Sequence, residues 1–108
     1  MSIIEKFEKY LMRNHTGFRI EAKFLNYASF ETNNFKVTLL NITETNVCRF
    51  SFYDSEISCQ FSYYYKSKEY VRVFGWAEGE SPITKFNKVL DEFISLDNNA
   101  FDFILEKA

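Results

Sequence analysis

Glycine and proline are scarce, with three and one among 108 residues. That leaves no room for a flexible linker or a low-complexity segment, and the chain reads as one domain over residues 1–108. Gly17, Gly75 and Gly79 are isolated, so no glycine-rich phosphate loop exists. Two cysteines and one histidine are too few and too dispersed for a clustered zinc site, and no metal or cofactor is expected. No stretch approaches the roughly 18 apolar residues of a spanning helix, so no membrane partner is expected. Neither sign of charge dominates: 13 bases meet 15 acids, a net charge of −2. A globally basic nucleic-acid binder would look different.

What the chain has in abundance is aromatic side chains: 13 Phe, 7 Tyr and 1 Trp. With 46% hydrophobic residues this excludes disorder. The first residues turn charged after Ile3 and Ile4, without the apolar run of a secretory leader. The cytoplasm is therefore the expected compartment, with Cys48 and Cys59 reduced and packed as small hydrophobes. The glycosylation-like triplets at Asn14 and Asn41 are then chance matches.

Ser2-Ile3-Ile4-Glu5 has the form of a capping box, in which Ser and Glu satisfy free backbone amides reciprocally. Ile4, Phe7 and Leu11 follow at helical spacing, predicting a helix over about 2–15 that ends near Gly17. From Phe18 the period becomes two. Phe18, Ile20, Ala22 and Phe24 alternate with Arg19, Glu21 and Lys23, predicting one half-buried strand that continues to Phe30 with Asn26 on its inner face. Glu31-Thr32-Asn33-Asn34 and Ile42-Thr43-Glu44-Thr45 read as turns around an alternating Phe35, Val37, Leu39 strand.

Two hairpins follow. With Asp54-Ser55 as loop, Phe52 pairs with Ile57, Phe50 with Cys59 and Cys48 with Phe61, all on one face. With Ser67-Lys68 as loop, Tyr65 pairs with Tyr70, Phe61 with Phe74 and Cys59 with Trp76, while Tyr63 falls opposite Arg72. A one-residue slip in either hairpin would mix polar and apolar sets. On this register the two cysteines lie diagonally, roughly 7–8 Å apart, longer than a disulfide requires. Ser81-Pro82 then starts a helix that carries Phe86, Val89, Leu90, Phe93 and Ile94 on one stripe. Asp97 or Asn98 caps a short last helix with Phe101, Ile104 and Leu105. The expected fold is α+β and two-layered: an N-terminal helix, an antiparallel meander of about five strands, a C-terminal helix and a short last helix.

Chemistry is thin. His15 near a helix end is expected to satisfy carbonyls or face solvent rather than act as a base. The cysteines alternate with Phe and Ile on the buried face, so no activated nucleophile is expected. Asp91 and Glu92 are adjacent on a helix and point about 100° apart, so they need not converge. No catalytic residue is assigned and the chain is read as a non-enzyme.

Binding is the positive reading. Tyr64, Val71 and Val73 fall on the sheet face away from the core, with Leu25, Tyr27 and Leu40 able to join them. An apolar outer face suggests a protein partner or a second copy of the chain. Tyr63-Tyr64-Tyr65-Lys66-Ser67-Lys68 interleaves rings with cations at a hairpin tip, which supports an alternative: a single-strand nucleic-acid module. The partner-contact residues assigned are Tyr64, Lys66, Lys68, Val71 and Val73. Residues 73–108 hold three bases against seven acids, an acidic end suited to a basic partner.

Phe35-Lys36-Val37-Thr38-Leu39, Cys48-Arg49-Phe50-Ser51-Phe52, Ser81-Pro82 with Val89-Leu90, and Phe101-Asp102-Phe103 resemble pieces of small phage and mobile-element proteins. The resemblance covers less than half the chain. In size and composition the chain also resembles anti-CRISPR inhibitors, a functional class with many folds. The likeness implies a non-enzymatic inhibitor of a host protein or ribonucleoprotein complex, acting in the host cytoplasm. It carries over no residue role.

Overall fold

The computed structural model describes residues 2–55, 57–76 and 81–98. Helix α1 spans Ile3–Asn14 and helix α2 spans Ser81–Asn98. Between them run β1 (Arg19–Lys23), β2 (Tyr27–Glu31), β3 (Lys36–Ile42), β4 (Val47–Tyr53), β5 (Ser58–Tyr64) and β6 (Glu69–Trp76). All neighbours are antiparallel and the sheet order is β1-β2-β3-β4-β5-β6, an open meander. The α+β expectation holds with six strands rather than five. The short last helix expected around Phe101, Ile104 and Leu105 lies outside the described residues.

α1 starts at the Ser2 cap, where the serine half of the predicted capping box forms and the Glu5 carboxylate takes the Ser2 hydroxyl. The Ser2 side chain accepts from the Glu5 amide at 3.2 Å and its hydroxyl donates to the Glu5 carboxylate at 3.3 Å. Gly17 lies beyond the helix end at φ +71, a conformation that favours glycine. A Cβ there would run into the Asn33 side chain, which belongs to the β2–β3 turn. That turn is bonded to the helix exit through Asn33 N–H to the Thr16 carbonyl, 2.9 Å.

The single strand expected from Phe18 to Phe30 is two strands. The chain turns at Phe24–Asn26, with Phe24 N–H bonded to the Tyr27 carbonyl at 2.7 Å. Asn26 is therefore in a turn, its carbonyl accepting from Asn41 N–H at 2.8 Å, not on an inner face. β1 is an edge strand, and Ile20 and Phe24, expected to be half-buried, are exposed. Alternation of apolar and charged residues does not tell an edge strand from a covered one.

Both long hairpins slip by two residues, which preserves the predicted faces of β4, of β5 and of β6 as far as Arg72; beyond Val73 the slip is one residue, and Phe74 and Trp76 lose the register positions predicted for them on the core face. The β4–β5 pairs are Tyr53 with Ser58, Phe52 with Cys59, Phe50 with Phe61 and Cys48 with Tyr63. The loop is Asp54–Ile57, because the Asp54 carboxylate accepts from Ile57 N–H at 2.9 Å and Asp54 N–H reaches the Ile57 carbonyl at 3.1 Å. In β5–β6, Tyr63 pairs with Tyr70, Phe61 with Arg72 and Ser62 with Val71. Tyr65 is in the loop, where Lys68 at φ 62 closes the turn through its N–H to the Tyr64 carbonyl at 2.9 Å. The register shifts between Gln60 and Phe61, leaving Val73 as the bulge residue. Phe74 then partners Gln60, not Phe61, and Trp76 partners Ser58, not Cys59. The cysteines are consequently four positions apart along the sheet rather than diagonal neighbours, and both are free and buried. The β3–β4 turn sits one residue later than expected, at 43–46, with Asn46 at φ 56.

Both helices lie on one sheet face. Phe7 of α1 is fully buried and edge-on to Phe50 at 4.8 Å and to Phe93 of α2 at 5.0 Å. Phe86 stacks on Phe52 at 5.1 Å, and Phe93 meets Tyr63 at 6.2 Å. Edge-to-face pairs add about 0.5–1.5 kcal/mol each to the burial of apolar area.

Truncating the ring that joins all three elements should be severe. Phe7→Ala is expected to lose about 3–5 kcal/mol of unfolding free energy, measured as a fall in denaturant midpoint at unchanged slope. Lys68 holds a left-handed conformation that a side chain disfavours by about 1–2 kcal/mol. Lys68→Gly is therefore expected to match or exceed the parent in thermal midpoint, and Lys68→Val to fall below it.

Candidate functional site

Among the described residues, no helix or strand packs on the side of the sheet opposite the helices. Register places outward residues in rows that cross the strands. One row runs Tyr27, Leu40, Arg49, Ser62, Val71 from β2 to β6. With strands about 4.8 Å apart, five positions span roughly 19 Å. The apolar members are well exposed: Tyr27 39%, Leu40 45% and Val71 49%. Tyr64, one row along and paired with Val47, is 42% exposed. Val47 and Ser62 are buried outside the helix-facing core, shielded by neighbours on this same face.

The adjacent row is polar: Ser29, Thr38, Ser51, Gln60. Gln60 donates from Nε2 to Ser51 Oγ at 3.2 Å, and Ser29 Oγ donates to Glu21 at 3.2 Å. Beyond it lies a self-neutralised charge cluster. Arg19 pairs with Glu31 at 2.5 Å and Lys36 pairs with Glu21 at 2.8 Å. Hydrogen bonding with Glu21, then Arg19 and Lys36, pushes the Glu31 carboxyl down to about 2.

The residues assigned from sequence fall in two groups. Tyr64, Val71 and Val73 are all exposed, Val71 in the row above and Val73 on the bulge. Lys66 is exposed in the 65–68 loop. Lys68 is half-buried and holds the αL position of that loop, so a backbone requirement acts on it as well. Leu25 and Phe24, in the β1–β2 turn, are the most exposed large apolar side chains. Arg49, at the centre of the row, was not singled out. Its signal was present in the sequence as the one charged residue among the outward positions of β4.

A second cluster joins the helices on the covered side. The Tyr10 hydroxyl donates to Glu92 at 2.7 Å, and His15 Nε2 lies 3.2 Å from the same oxygen. Because the hydroxyl proton is committed to Glu92, the His15 Nε2–H is the donor to Tyr10. Burial lowers the pKa of His15, opposed by the Glu92 charge. A cleft of about 410 Å³ opens beside it, lined by His15, Asn34, Phe35, Lys85, Lys88, Val89 and Glu92. Asp54 offsets Lys85, however, and Glu92 offsets Lys88, so the cleft carries little net charge. On the other flank of α2 the Tyr70 hydroxyl donates to Asp91 at 2.7 Å. The adjacent carboxylates thus serve two different tyrosines, as their angular separation on the helix requires. Sequence spacing could not pair them, because the partners come from distant segments.

Cys48 is pushed up to about 12 by burial, and burial also raises Cys59, against a small opposing effect of Arg72. Neither thiol is primed for nucleophilic attack. Among the described residues no three His, Cys, Asp or Glu side chains gather as a metal site requires, and no helix is long and apolar enough to cross a membrane.

No family model matches the chain, and searches of curated proteins and of solved structures find no match either.

The two tyrosine clamps set an alkaline limit. Tyr10 is raised by burial and then by Glu92, and Tyr70 is pushed up to about 12 by burial and then by Asp91. Both contribute stability fully present below the ordinary tyrosine value near 10, and lost as pH rises through the higher folded values. Absorbance at 295 nm is expected to show these two tyrosines ionising last, together with loss of near-ultraviolet ellipticity. Tyr70→Phe should remove part of that alkaline transition.

Proposed function

We propose that this chain is a binding protein without catalytic chemistry that docks a protein partner on the open face of its sheet. In this reading it acts stoichiometrically, as phage and mobile-element inhibitors of host complexes do. A CRISPR effector is the first such complex to test. The observation that carries the reading is the set of large apolar side chains left exposed together on one face: Tyr27, Leu40, Tyr64 and Val71. Large apolar side chains left exposed on one face in this way mark an interaction surface. Aromatic residues are enriched at interfaces, where they provide large contact area at small entropic loss. The size, composition and strand and helix pieces that resemble phage-encoded proteins supply the biological context.

A single-strand nucleic-acid module is the second reading, favoured by Tyr64 beside the 65–68 loop with Lys66. It requires a track of free cations along the strand. Arg19 and Lys36 on the same face are already held by carboxylates, which favours the protein reading.

Expression of the chain in a bacterium carrying an active CRISPR effector is expected to restore plating of a targeted phage. Combined Tyr64→Ser, Val71→Ser and Val73→Ser should change stability by less than about 1.5 kcal/mol, since each is an exposed position, yet abolish protection. Protection retained by the triple variant would place the dock elsewhere. Absence of protection by the parent chain across effector types would reject the inhibitor reading.

A further inference from the structure

We infer that the open face recognises an acidic side chain of its protein partner, seated on Arg49. This rests on the docking reading above and names the chemistry of that dock. Arg49 is exposed at the centre of the row, between Leu40 on β3 and Ser62 on β5. Among the described residues it has no ion pair, whereas Arg19, Lys23 and Lys36 each have a carboxylate within 2.8 Å. Tyr27 and Leu40 lie on one side of it, Val71 and Tyr64 on the other.

An unpaired guanidinium between apolar neighbours such as Leu40 and the polar row at Thr38, Ser51 and Gln60 is tolerable in the free protein because water solvates it. Covering the face with apolar partner surface alone would strip that water and leave a buried unpaired charge, a penalty of several kcal/mol. A partner that covers this face must therefore bring an acceptor, and a carboxylate fits the planar fork with two parallel hydrogen bonds. Arginine and tyrosine at the centre of a patch are also the residue types that dominate binding energy. A nucleic-acid strand is disfavoured as occupant, because one free cation on the row cannot follow a chain of evenly spaced phosphates.

The test is a selection of random dodecapeptides displayed on phage against the immobilised full chain. Enriched peptides are expected to carry Asp or Glu flanked by apolar residues. Synthetic copies should bind Arg49→Gln at least about tenfold more weakly, and Arg49→Lys with an intermediate loss, because lysine keeps the charge without the fork. Replacing the peptide's acidic residue by its amide should lose the same factor, and lose nothing further on Arg49→Gln. Two outcomes overturn the acidic anchor while leaving the dock standing: enriched peptides without an acidic residue, or binding that Tyr64→Ser abolishes and Arg49→Gln leaves unchanged. Failure to enrich any peptide dependent on Tyr64 and Val71 overturns the anchor together with the dock. Tighter, salt-sensitive binding of a thymidine 15-mer that Arg49→Gln weakens reassigns Arg49 to phosphate and overturns the proposal.

Discussion

The fold depends on one ring. Phe7 is the point where the first helix, the middle of the sheet and the last helix meet, edge-on to Phe50 and to Phe93. Rings prefer tilted contacts to flat stacking, so a core built from them interlocks in direction as well as in volume. The tyrosines at its margin extend the same logic outward. Tyr10 and Tyr70 keep their rings against the core and send their hydroxyls to Glu92 and Asp91. α2 is thus held by its apolar stripe from below and by a hydrogen bond on each flank. Both described helices are spent on one side of the sheet, and among the described residues no element covers the other.

This division explains what could be read in the chain and what could not. Alternation decides which face a residue occupies, and every strand from β2 to β5 kept the face its pattern assigned. Alternation is blind to a slip of two. Such a slip preserves both faces, so the pairing is settled by the loop. The Asp54 carboxylate closing on Ile57 and the left-handed backbone of Lys68 each select a loop longer than two residues. Neither signal has a period, and neither is visible in hydrophobic patterning. The Val73 bulge is of the same kind: one inserted residue moves Phe74 from the partner expected to the one beside it.

The same limits shape the candidate site. Tyr64 and Val71 were legible because outward position is a matter of parity. Arg49 was legible as outward but not as central or unpaired, since its neighbours in the row depend on the register of four successive pairings. The tyrosine clamps were illegible for a stronger reason. Tyr10 and Glu92 are 82 residues apart and meet only because the helices lie side by side across the sheet. Local spacing carries no trace of such a pair.

On the docking reading proposed above, the mode of contact follows from where the chain spends its charges. An unguarded edge strand invites backbone pairing with another chain. Here β1 alternates Arg19, Glu21 and Lys23 along the edge, and each is tied to a partner at Glu31, Lys36 or Glu8. Strand addition at that edge would have to break those pairs. In the middle of the face no comparable defence exists: Tyr27, Leu40, Tyr64 and Val71 stand exposed around a solvated guanidinium. A surface that resists pairing at its β1 edge and exposes large apolar groups across the face favours contact by side chains, face-on. Such contact is selective, because a partner must match both the apolar ground and the single charge set in it.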